Sequence, residues 1–230
     1  MQCLVKHVQS KLHRNKIIQE NTTGFKWIAN RIRMWEGKRK YIGGGEESFG
    51  FLPYDAVRDK CSPSAICLIC EIAAYAKDNG MTLYDYLLKI YEDYGFQKET
   101  TINVVRPGKT GAEEIQQMMV NYRNNPPQEI AGEKVVRIKD FKLLKQQDLK
   151  DGKWVESAIE MPLNATSNVL QYFTEGGLKV SVRPSGTEPK IKFYFEIPVK
   201  SGKPFTGADY ERCTAEAEAR VPAIKASLGL

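Results

Sequence analysis

Residues 178–197 read Leu-Lys-Val-Ser-Val-Arg-Pro-Ser-Gly-Thr-Glu-Pro-Lys-Ile-Lys-Phe-Tyr-Phe-Glu-Ile, and this stretch decides the fold of the second half of the 230-residue chain. Apolar and polar residues alternate from Ile191 to Ile197, which is the period of a half-buried strand. A second strand-like run extends from Leu178 to Val182. The residues between the two runs are rich in proline, serine and glycine, which favour turns. The pattern predicts two antiparallel strands joined by a loop.

The loop between these strands has the composition of an anion site. Arg183 offers a planar fork of donors to a phosphate, and Ser185 and Thr187 offer hydroxyl groups. Gly186 lets the backbone turn so that successive N–H groups can point at one cluster of oxygens. We therefore predict a phosphorylated ligand. Ordinary hairpin chemistry explains the same residues, and the loop alone does not separate the two interpretations.

A second loop, Gly43 to Gly50, carries two carboxylates and a hydroxyl between glycines. Carboxylate oxygens accept hydrogen bonds from neighbouring sugar hydroxyls, and glycine permits close approach of a ligand. Glu46, Glu47 and Ser48 supply these groups. A flexible surface loop is the alternative. A sugar site combined with a phosphate site predicts a phosphosugar ligand.

The cysteines indicate a reducing compartment without a metal site. Cys67 and Cys70 have the spacing of a redox or zinc pair, but they lie in an apolar, helix-like run from Ala65 to Ala76, and no second pair completes a site. We expect buried free thiols on a packed helix and no bound metal.

The chain has no apolar stretch of about eighteen residues and no leader-like N-terminus, so we expect a cytoplasmic protein without membrane contact.

The net charge of +6 is concentrated near the N-terminus. Positions 1–40 contain ten basic residues and only two acidic ones, Glu20 and Glu36. The net charge of this stretch is therefore +8, and that of the remainder is −2. A nucleic-acid surface, steering of an anionic phosphosugar and a solvated helix face each explain this bias. Aromatic residues are not interleaved with the charges in a stacking pattern, and no nucleic-acid motif is present, so we expect no nucleic-acid partner.

The order of predicted elements divides the chain in two. Helices are predicted from Thr23, from Pro63 and after Thr82, followed by a strand at Thr101 to Val105. Later segments read as a helix, four strands with a hairpin turn, and a final helix that covers the sheet: Ile115 to Tyr122, Val135 to Ile138, Val169 to Phe173, Leu178 to Val182, Ile191 to Ile197, and Tyr210 to Ile224. We expect an α/β remnant, which is only part of a domain, over residues 1–97 and an α+β domain with an antiparallel sheet covered by helices over residues 98–230.

Taken in this order, the motifs resemble the α-D-phosphohexomutase superfamily, the phosphoglucomutases and phosphomannomutases. Residues Gly44 to Gly50 resemble the sugar-binding loop of that family's third domain, and Arg183 to Pro189 resemble the phosphate-binding loop of its fourth. Thr23-Gly24-Phe25-Lys26 is similar to a segment that faces the substrate in related enzymes. The resemblance thus implies substrate contacts for Gly24 and Lys26, sugar contacts for Glu46 and Ser48, and phosphate contacts for Arg183, Ser185, Gly186 and Thr187.

The resemblance covers only the back half of the family's architecture. The family transfers phosphate between the 1- and 6-positions of a hexose through a phosphoserine and a hexose 1,6-bisphosphate, with Mg²⁺. This chain contains no Ser-His-Asn-Pro motif and no Asp-x-Asp-x-Asp run, and its only histidines are His7 and His13. We therefore expect no catalytic or metal-binding residue here. The chain is expected to be the substrate-recognition half that pairs with missing N-terminal mutase domains. The alternative is a non-catalytic phosphosugar- or anion-binding module left by truncation.

Overall fold

A computed structural model describes residues 25–45, 50–159, 161, 165–186 and 188–230. The chain divides into two compact units. The first comprises the chain up to Gly95 together with Gly202–Gly207, and the second comprises Phe96–Ser201 and Ala208–Leu230. None of the helices in the described ranges is long and apolar enough to cross a membrane.

The described part of the first unit contains three helices and a short pair of strands. In chain order these are α1 (Phe25–Trp35), β1 (Gly44–Gly45), β2 (Phe51–Leu52), α2 (Ser62–Asp78) and α3 (Leu83–Tyr94). Among these described residues, Phe25 and Ile32 from α1 and Leu52 from β2 form a hydrophobic core, against which Ile28, Tyr41 and Cys61 pack. Phe25, Ile28 and Ile32 recur at helical spacing along α1 and therefore form its packed face.

Local signals fix the ends of α2 and α3. Pro63 lies in the first turn of α2, where a missing N–H leaves no partner unsatisfied. Thr82 caps α3 by accepting a hydrogen bond from the N–H of Asp85, whose carboxylate in turn accepts one from the N–H of Thr82. Gly95, with a φ of 88°, ends α3. The predicted helices are thus confirmed, with these boundaries.

The helices α2 and α3 bury little of their apolar surface. Ala76 is the only residue of α2 that is buried. Six large side chains on the two helices are exposed: Ile66, Ile69, Tyr75, Leu83, Tyr84 and Leu87. Cys67 and Cys70 are exposed as well, so the prediction of buried thiols is wrong. The reason is that the described part of this unit packs nothing against that side of α2.

The segment Gly202–Gly207 belongs to the first unit although it lies far along the chain. Phe205 is 5% exposed, and its ring centroid lies 5.6 Å from that of Tyr91 on α3. The N–H of Phe205 also donates to the Glu92 carboxylate at 2.9 Å. This segment therefore covers part of the α3 face that the local sequence leaves open.

The second unit contains an antiparallel sheet. Its strands are β3 (Phe96–Val105), β4 (Glu129–Ile130), β5 (Glu133–Asp140), β6 (Lys145–Lys150), β7 (Lys153–Ala158), β8 (Leu170–Thr174), β9 (Lys179–Pro184) and β10 (Lys190–Val199). The spatial order is β3-β10-β9-β8-β5-β6-β7, with β4 paired to β5. The predicted antiparallel sheet is confirmed, and the alternating run from Ile191 to Ile197 forms its long β10 strand.

Two helices cover one face of this sheet, as predicted. They are α4 (Gly108–Asn124) and α5 (Gly207–Ser227). The hydroxyl of Tyr172 on β8 donates to the carbonyl oxygen of Tyr122 on α4 at 2.9 Å, and Lys98 on β3 pairs with Glu218 on α5 at 3.2 Å. The apolar core between the layers includes Ile115, Met119, Tyr172, Val180, Val182, Ile191, Phe193, Phe195, Ile197, Cys213, Ala217 and Ile224. The opposite face of β5, β8, β9 and β10 carries mainly polar side chains.

The hairpin of β6 and β7 is an element that sequence reasoning missed. Its strands read Lys-Gln-Gln-Asp-Leu-Lys and Lys-Trp-Val-Glu-Ser-Ala, which lack a regular alternation of apolar and polar residues. Asp151 and Gly152 connect them with φ values of 50° and 75°. Positive φ at both central residues is typical of the tight turns that join antiparallel strands, so the Asp-Gly pair was the available signal.

Candidate functional site

The predicted phosphate loop connects β9 to β10 at the end of the hairpin. Arg183 lies near the end of β9 and stands directly opposite Lys192 of β10. Neighbours in register project from the same face of a sheet, and alternate residues along a strand share a face. Arg183, Lys190 and Lys192 therefore project together on the face opposite the helices.

Backbone hydrogen bonds hold the loop closed. The N–H of Ser185 donates to the carbonyl oxygen of Lys190 at 2.8 Å, and the N–H of Glu188 donates to the Ser185 hydroxyl at 3.3 Å. From outside the loop, the N–H of Arg106 donates to the carbonyl oxygen of Pro189 at 2.9 Å. The loop is thus a defined turn that presents Arg183 and Ser185 from a strand end.

The loop surrounds an open depression with an excess of positive charge. The cavity has a volume of about 220 Å³ and is lined by Arg183, Pro184, Ser185, Glu188, Lys190 and Lys192. Three cations face one carboxylate, Glu188, which pairs with Lys190. A hydrogen bond from Lys190, together with the charges of Lys190 and Lys192, holds the pKa of Glu188 below its usual range. The remaining positive charge suits a phosphate dianion.

Of the other two predicted phosphate-binding residues, Gly186 lies within the described residues and Thr187 does not. Gly186 is exposed, it has no positive φ, and a Cβ added there would meet nothing within 4 Å. This glycine therefore leaves open space above the loop and does not relieve a strained turn. Thr187 lies outside the described residues. Sequence reasoning missed Lys190 and Lys192, although their alternation with Ile191 and Phe193 predicts that they share the face of Arg183.

The predicted sugar loop starts from the β1–β2 pair. A Cβ added at Gly44 would lie 2.7 Å from the Tyr41 hydroxyl and 3.3 Å from Ile28, so glycine is needed for this close packing. The Tyr41 hydroxyl donates to the carbonyl oxygen of Leu52 at 3.0 Å, and burial raises the pKa of Tyr41. Glu46 and Ser48 lie outside the described residues. The structure therefore describes the framework of this loop and not its two candidate ligands.

Of the two predicted substrate contacts ahead of this loop, only Lys26 lies in the described ranges. It is exposed in the first turn of α1, with its ammonium group 5.2 Å from the centroid of the Trp27 ring. Gly24 lies outside the described residues. Further along, Arg31 and Arg39 approach the Trp35 ring at 5.7 and 5.0 Å, so part of the basic stretch is engaged with an aromatic side chain of its own unit.

The described residues do not fit a magnesium site. No group of three or more histidine, cysteine, aspartate or glutamate side chains among them is arranged to hold a metal ion. Mg²⁺ prefers several oxygen ligands in near-octahedral geometry. We therefore assign no metal-dependent step to these residues.

We expect Glu188→Gln to strengthen binding of inorganic phosphate about threefold. The substitution removes a charge that opposes the ligand and frees Lys190, and the effect is small because repulsion between exposed like charges is screened by water. Because the pKa of Glu188 is lowered, its carboxylate remains ionised until the pH falls through that lowered pKa. The difference between the two proteins should disappear only below that pH. Titrations monitored by NMR at several pH values measure it, and weaker binding by the variant would contradict the assigned site.

Two family models match the chain. Residues 102–202 match the model described as "Phosphoglucomutase/phosphomannomutase, C-terminal domain". Residues 5–94 match "Phosphoglucomutase/phosphomannomutase, alpha/beta/alpha domain III". The models fit the same two parts of the chain that the sequence motifs indicate, in the same order.

Curated relatives support the same assignment. A phosphoglucomutase of Staphylococcus haemolyticus (strain JCSC1435) is 35% identical over 182 residues, which are 79% of this chain and 32% of that protein. A phosphoglucomutase of Staphylococcus aureus (strain MRSA252) is 38% identical over 185 residues, 80% of this chain and 32% of that protein. The chain spans about a third of the length of these relatives.

A solved structure shares the fold. The open form of pp63/parafusin, a phosphoglucomutase from Paramecium, matches 98% of this chain and 36% of its own, with a TM-score of 0.58 and 17% sequence identity. At this identity the match supports the fold alone. Together, the two family models and the curated relatives show that the chain belongs to the phosphoglucomutase/phosphomannomutase superfamily and corresponds to the C-terminal part of its architecture.

Proposed function

We propose that this chain is the substrate-recognition half of a phosphohexomutase that interconverts hexose 1-phosphate and hexose 6-phosphate. The observation that carries this proposal is the loop between β9 and β10, where Arg183, Lys190 and Lys192 face one open depression with a single opposing carboxylate. Arg183 and Ser185 supply charged and neutral donors for a phosphate group. Membership of the superfamily supports a phosphosugar as the ligand.

The two loops divide the work of recognition in this proposal. A hexose bisphosphate must be held in two orientations, because either of its phosphates can be the one that reacts. The Arg183 loop, including Gly186 and Thr187, binds the phosphate that is not reacting. Glu46 and Ser48 bind hydroxyls that both orientations share, and Gly24 and Lys26 lie beside them in sequence. Binding the remote phosphate orients the reacting one, so the loop contributes to rate as well as affinity.

The phosphoserine and the magnesium site belong, in this proposal, to polypeptide outside this sequence. The relatives are about three times longer than the matched segment, which leaves room for both. The missing N-terminal mutase domains are then the partner of this chain, and no nucleic acid or membrane is involved. A cytoplasmic location is part of the proposal, and the free thiols of Cys61, Cys67, Cys70 and Cys213 are consistent with a reducing compartment.

We expect the chain by itself to show no mutase turnover above buffer. The expectation follows from the phosphoserine and aspartate motifs that this sequence lacks. A coupled assay with glucose 1-phosphate, glucose 1,6-bisphosphate and magnesium measures it, with a full-length phosphoglucomutase as the positive control. Robust turnover would show that another residue supplies the nucleophile, and it would contradict the assignment of a recognition half.

The second candidate function is a non-catalytic module that binds phosphosugars or other anions. The open, basic depression at Arg183 favours it, because the depression needs no other domain to attract a phosphate. The two candidate functions predict different coding sequences upstream of this chain. A reading frame encoding the Ser-His-Asn-Pro and aspartate motifs, fused or adjacent, supports the mutase half, and its absence supports the free-standing module.

A further inference from the structure

The sheet face opposite the helices carries a second group of cations, away from the phosphate loop. Arg137 Cζ, Lys139 Nζ and Lys179 Nζ lie 6.0, 5.6 and 5.9 Å from the centroid of the Phe173 ring. These cations come from two strands, β5 and β9, on either side of β8. Three positive charges around one aromatic ring repel one another unless anions neutralise them.

Two of the three cations are neutralised and the third is not. Arg137 pairs with Asp148 of β6, and Lys179 pairs with Glu196 of β10 at 2.6 Å. Lys139 has no ion pair with another of the described residues. Its side chain is partly buried, and burial together with the charges of Arg137 and Lys179 lowers the pKa of its ammonium group, a shift that Asp148 only partly opposes. A partly buried cation in a positive environment is a favourable place for an anion.

A buried polar side chain beside Lys139 is also incompletely satisfied. Gln171 stands directly opposite Lys139 in register and is only 2% exposed. Its amide nitrogen donates to the Ser181 hydroxyl at 3.1 Å, whereas its amide oxygen has no hydrogen-bond partner within the described ranges. A buried acceptor without a partner is costly, and within the described ranges the polar side chains beside Lys139 do not fully satisfy one another.

We propose that this face carries a second anion site, centred on the Lys139 ammonium group and flanked by Gln171 and Ser181, which takes a phosphate group. Lys139 binds the phosphate oxygens. The phosphate group belongs either to free phosphate or to a phosphate ester. The site is distinct from the phosphate loop, because two strand spacings and two residues separate Lys139 from Arg183, about 12 Å between their Cα atoms.

Phosphate titration of the full chain, followed by amide NMR, tests this proposal. In the wild-type protein we expect two groups of resonances to move: the amides of Ser185 and Lys190 at the loop, and those of Lys139, Gln171 and Ser181 on the sheet face. Lys139→Met retains a side chain of similar length to pack on Phe173 but removes the charge. Lys139→Met should lower the phosphate affinity measured at the sheet-face resonances about tenfold or more and leave the affinity measured at the loop resonances unchanged. Lys153→Met, at an exposed lysine of β7, is the matched control and should change neither.

The two sources of the phosphate group are separated by repeating the titration with glucose 6-phosphate. If glucose 6-phosphate shifts the sheet-face resonances at a lower midpoint concentration than inorganic phosphate does, the ligand of the site is a phosphate ester. If its midpoint is equal or higher, the ligand is free phosphate. A second readout is thermal unfolding, in which phosphate should raise the Tm of the wild type more than that of Lys139→Met. The proposal is overturned if the sheet-face resonances stay fixed in the wild type, or if they move equally in Lys139→Met. Because the loop response is recorded in the same spectra, this result is independent of the proposed mutase function.

Discussion

Arg183→Ala is expected to weaken phosphosugar binding by about ten- to a hundredfold. A charge-assisted hydrogen bond contributes about 1.5–3 kcal/mol, and each 1.4 kcal/mol corresponds to tenfold in affinity. Lys190 is engaged with Glu188, so Arg183 is the main free donor of the depression that can grip two phosphate oxygens at once. Calorimetric titration with glucose 1-phosphate measures the loss.

Three further variants make this measurement specific. Arg183→Lys keeps the charge but loses the planar fork, so its loss should be intermediate. Glu46→Ala removes hydrogen bonds to neutral hydroxyls, each contributing about 0.5–1.5 kcal/mol, so its loss should be smaller than that of Arg183→Ala. Arg212→Ala, at an exposed arginine of α5, should bind like the wild type. Equal losses for Arg183→Ala and Glu46→Ala would count against the assigned roles.

The amides of α2 are expected to exchange with solvent at least about a hundredfold faster than those of β9 and β10. The helix α2 buries only Ala76, whereas β10 buries Ile191, Phe193, Phe195, Ile197 and Val199 in the core of the second unit. A segment with few buried apolar contacts opens locally at low free energy. Because α2 buries so little apolar surface, its amides are expected to be poorly protected. Hydrogen exchange of the full chain, read by mass spectrometry, measures the difference.

Separate expression of residues 1–97 and 98–230 extends this test. We propose that residues 98–230 fold independently, because their sheet and two helices close one core. Residues 1–97 are proposed to be conditionally stable, and this fragment also lacks Phe205, which covers Tyr91 in the intact chain. Phe205→Ala in the full chain is the matched variant and should accelerate exchange in α3 but not in β10. Slow exchange throughout isolated residues 1–97 would contradict the proposal.

Secondary-structure elements with one buried and one exposed face, or with local capping residues, could be predicted from the sequence. The alternation from Ile191 to Ile197 predicts β10 because this strand has helices on one side and polar side chains on the other. Thr82 and Gly95 predict the ends of α3 because caps are local interactions. The β6–β7 hairpin escaped prediction because β7 is exposed along its whole length and β6 is only partly buried, so no apolar period marks the two strands. The Asp151-Gly152 turn was its one local signal.

The candidate sites were predictable to a different extent. Arg183 was found because its loop combines several phosphate-binding features in one short segment. Lys139 was missed because its environment depends on Gln171, Lys179 and Phe173, which lie on neighbouring strands and far apart in sequence. The exposure of Cys67 was also missed, because an apolar helix reads as buried whether or not a partner is present. A short sequence segment does not report which distant residues pair with it, or whether another element packs against it.

We propose that the Arg183 loop binds the phosphate group of a phosphosugar and that the glycine-rich loop at residues 43–50 binds its hydroxyls. The most direct measurement compares amide NMR shifts of the full chain with inorganic phosphate, glucose and glucose 1-phosphate. We expect glucose 1-phosphate to move resonances in both loops at lower concentration than either component alone, and inorganic phosphate to move the Arg183 loop but leave residues 43–50 unchanged. If glucose 1-phosphate leaves residues 43–50 unchanged while the Arg183 loop responds as it does to phosphate, the chain binds an anion without recognising a sugar, and the account is contradicted.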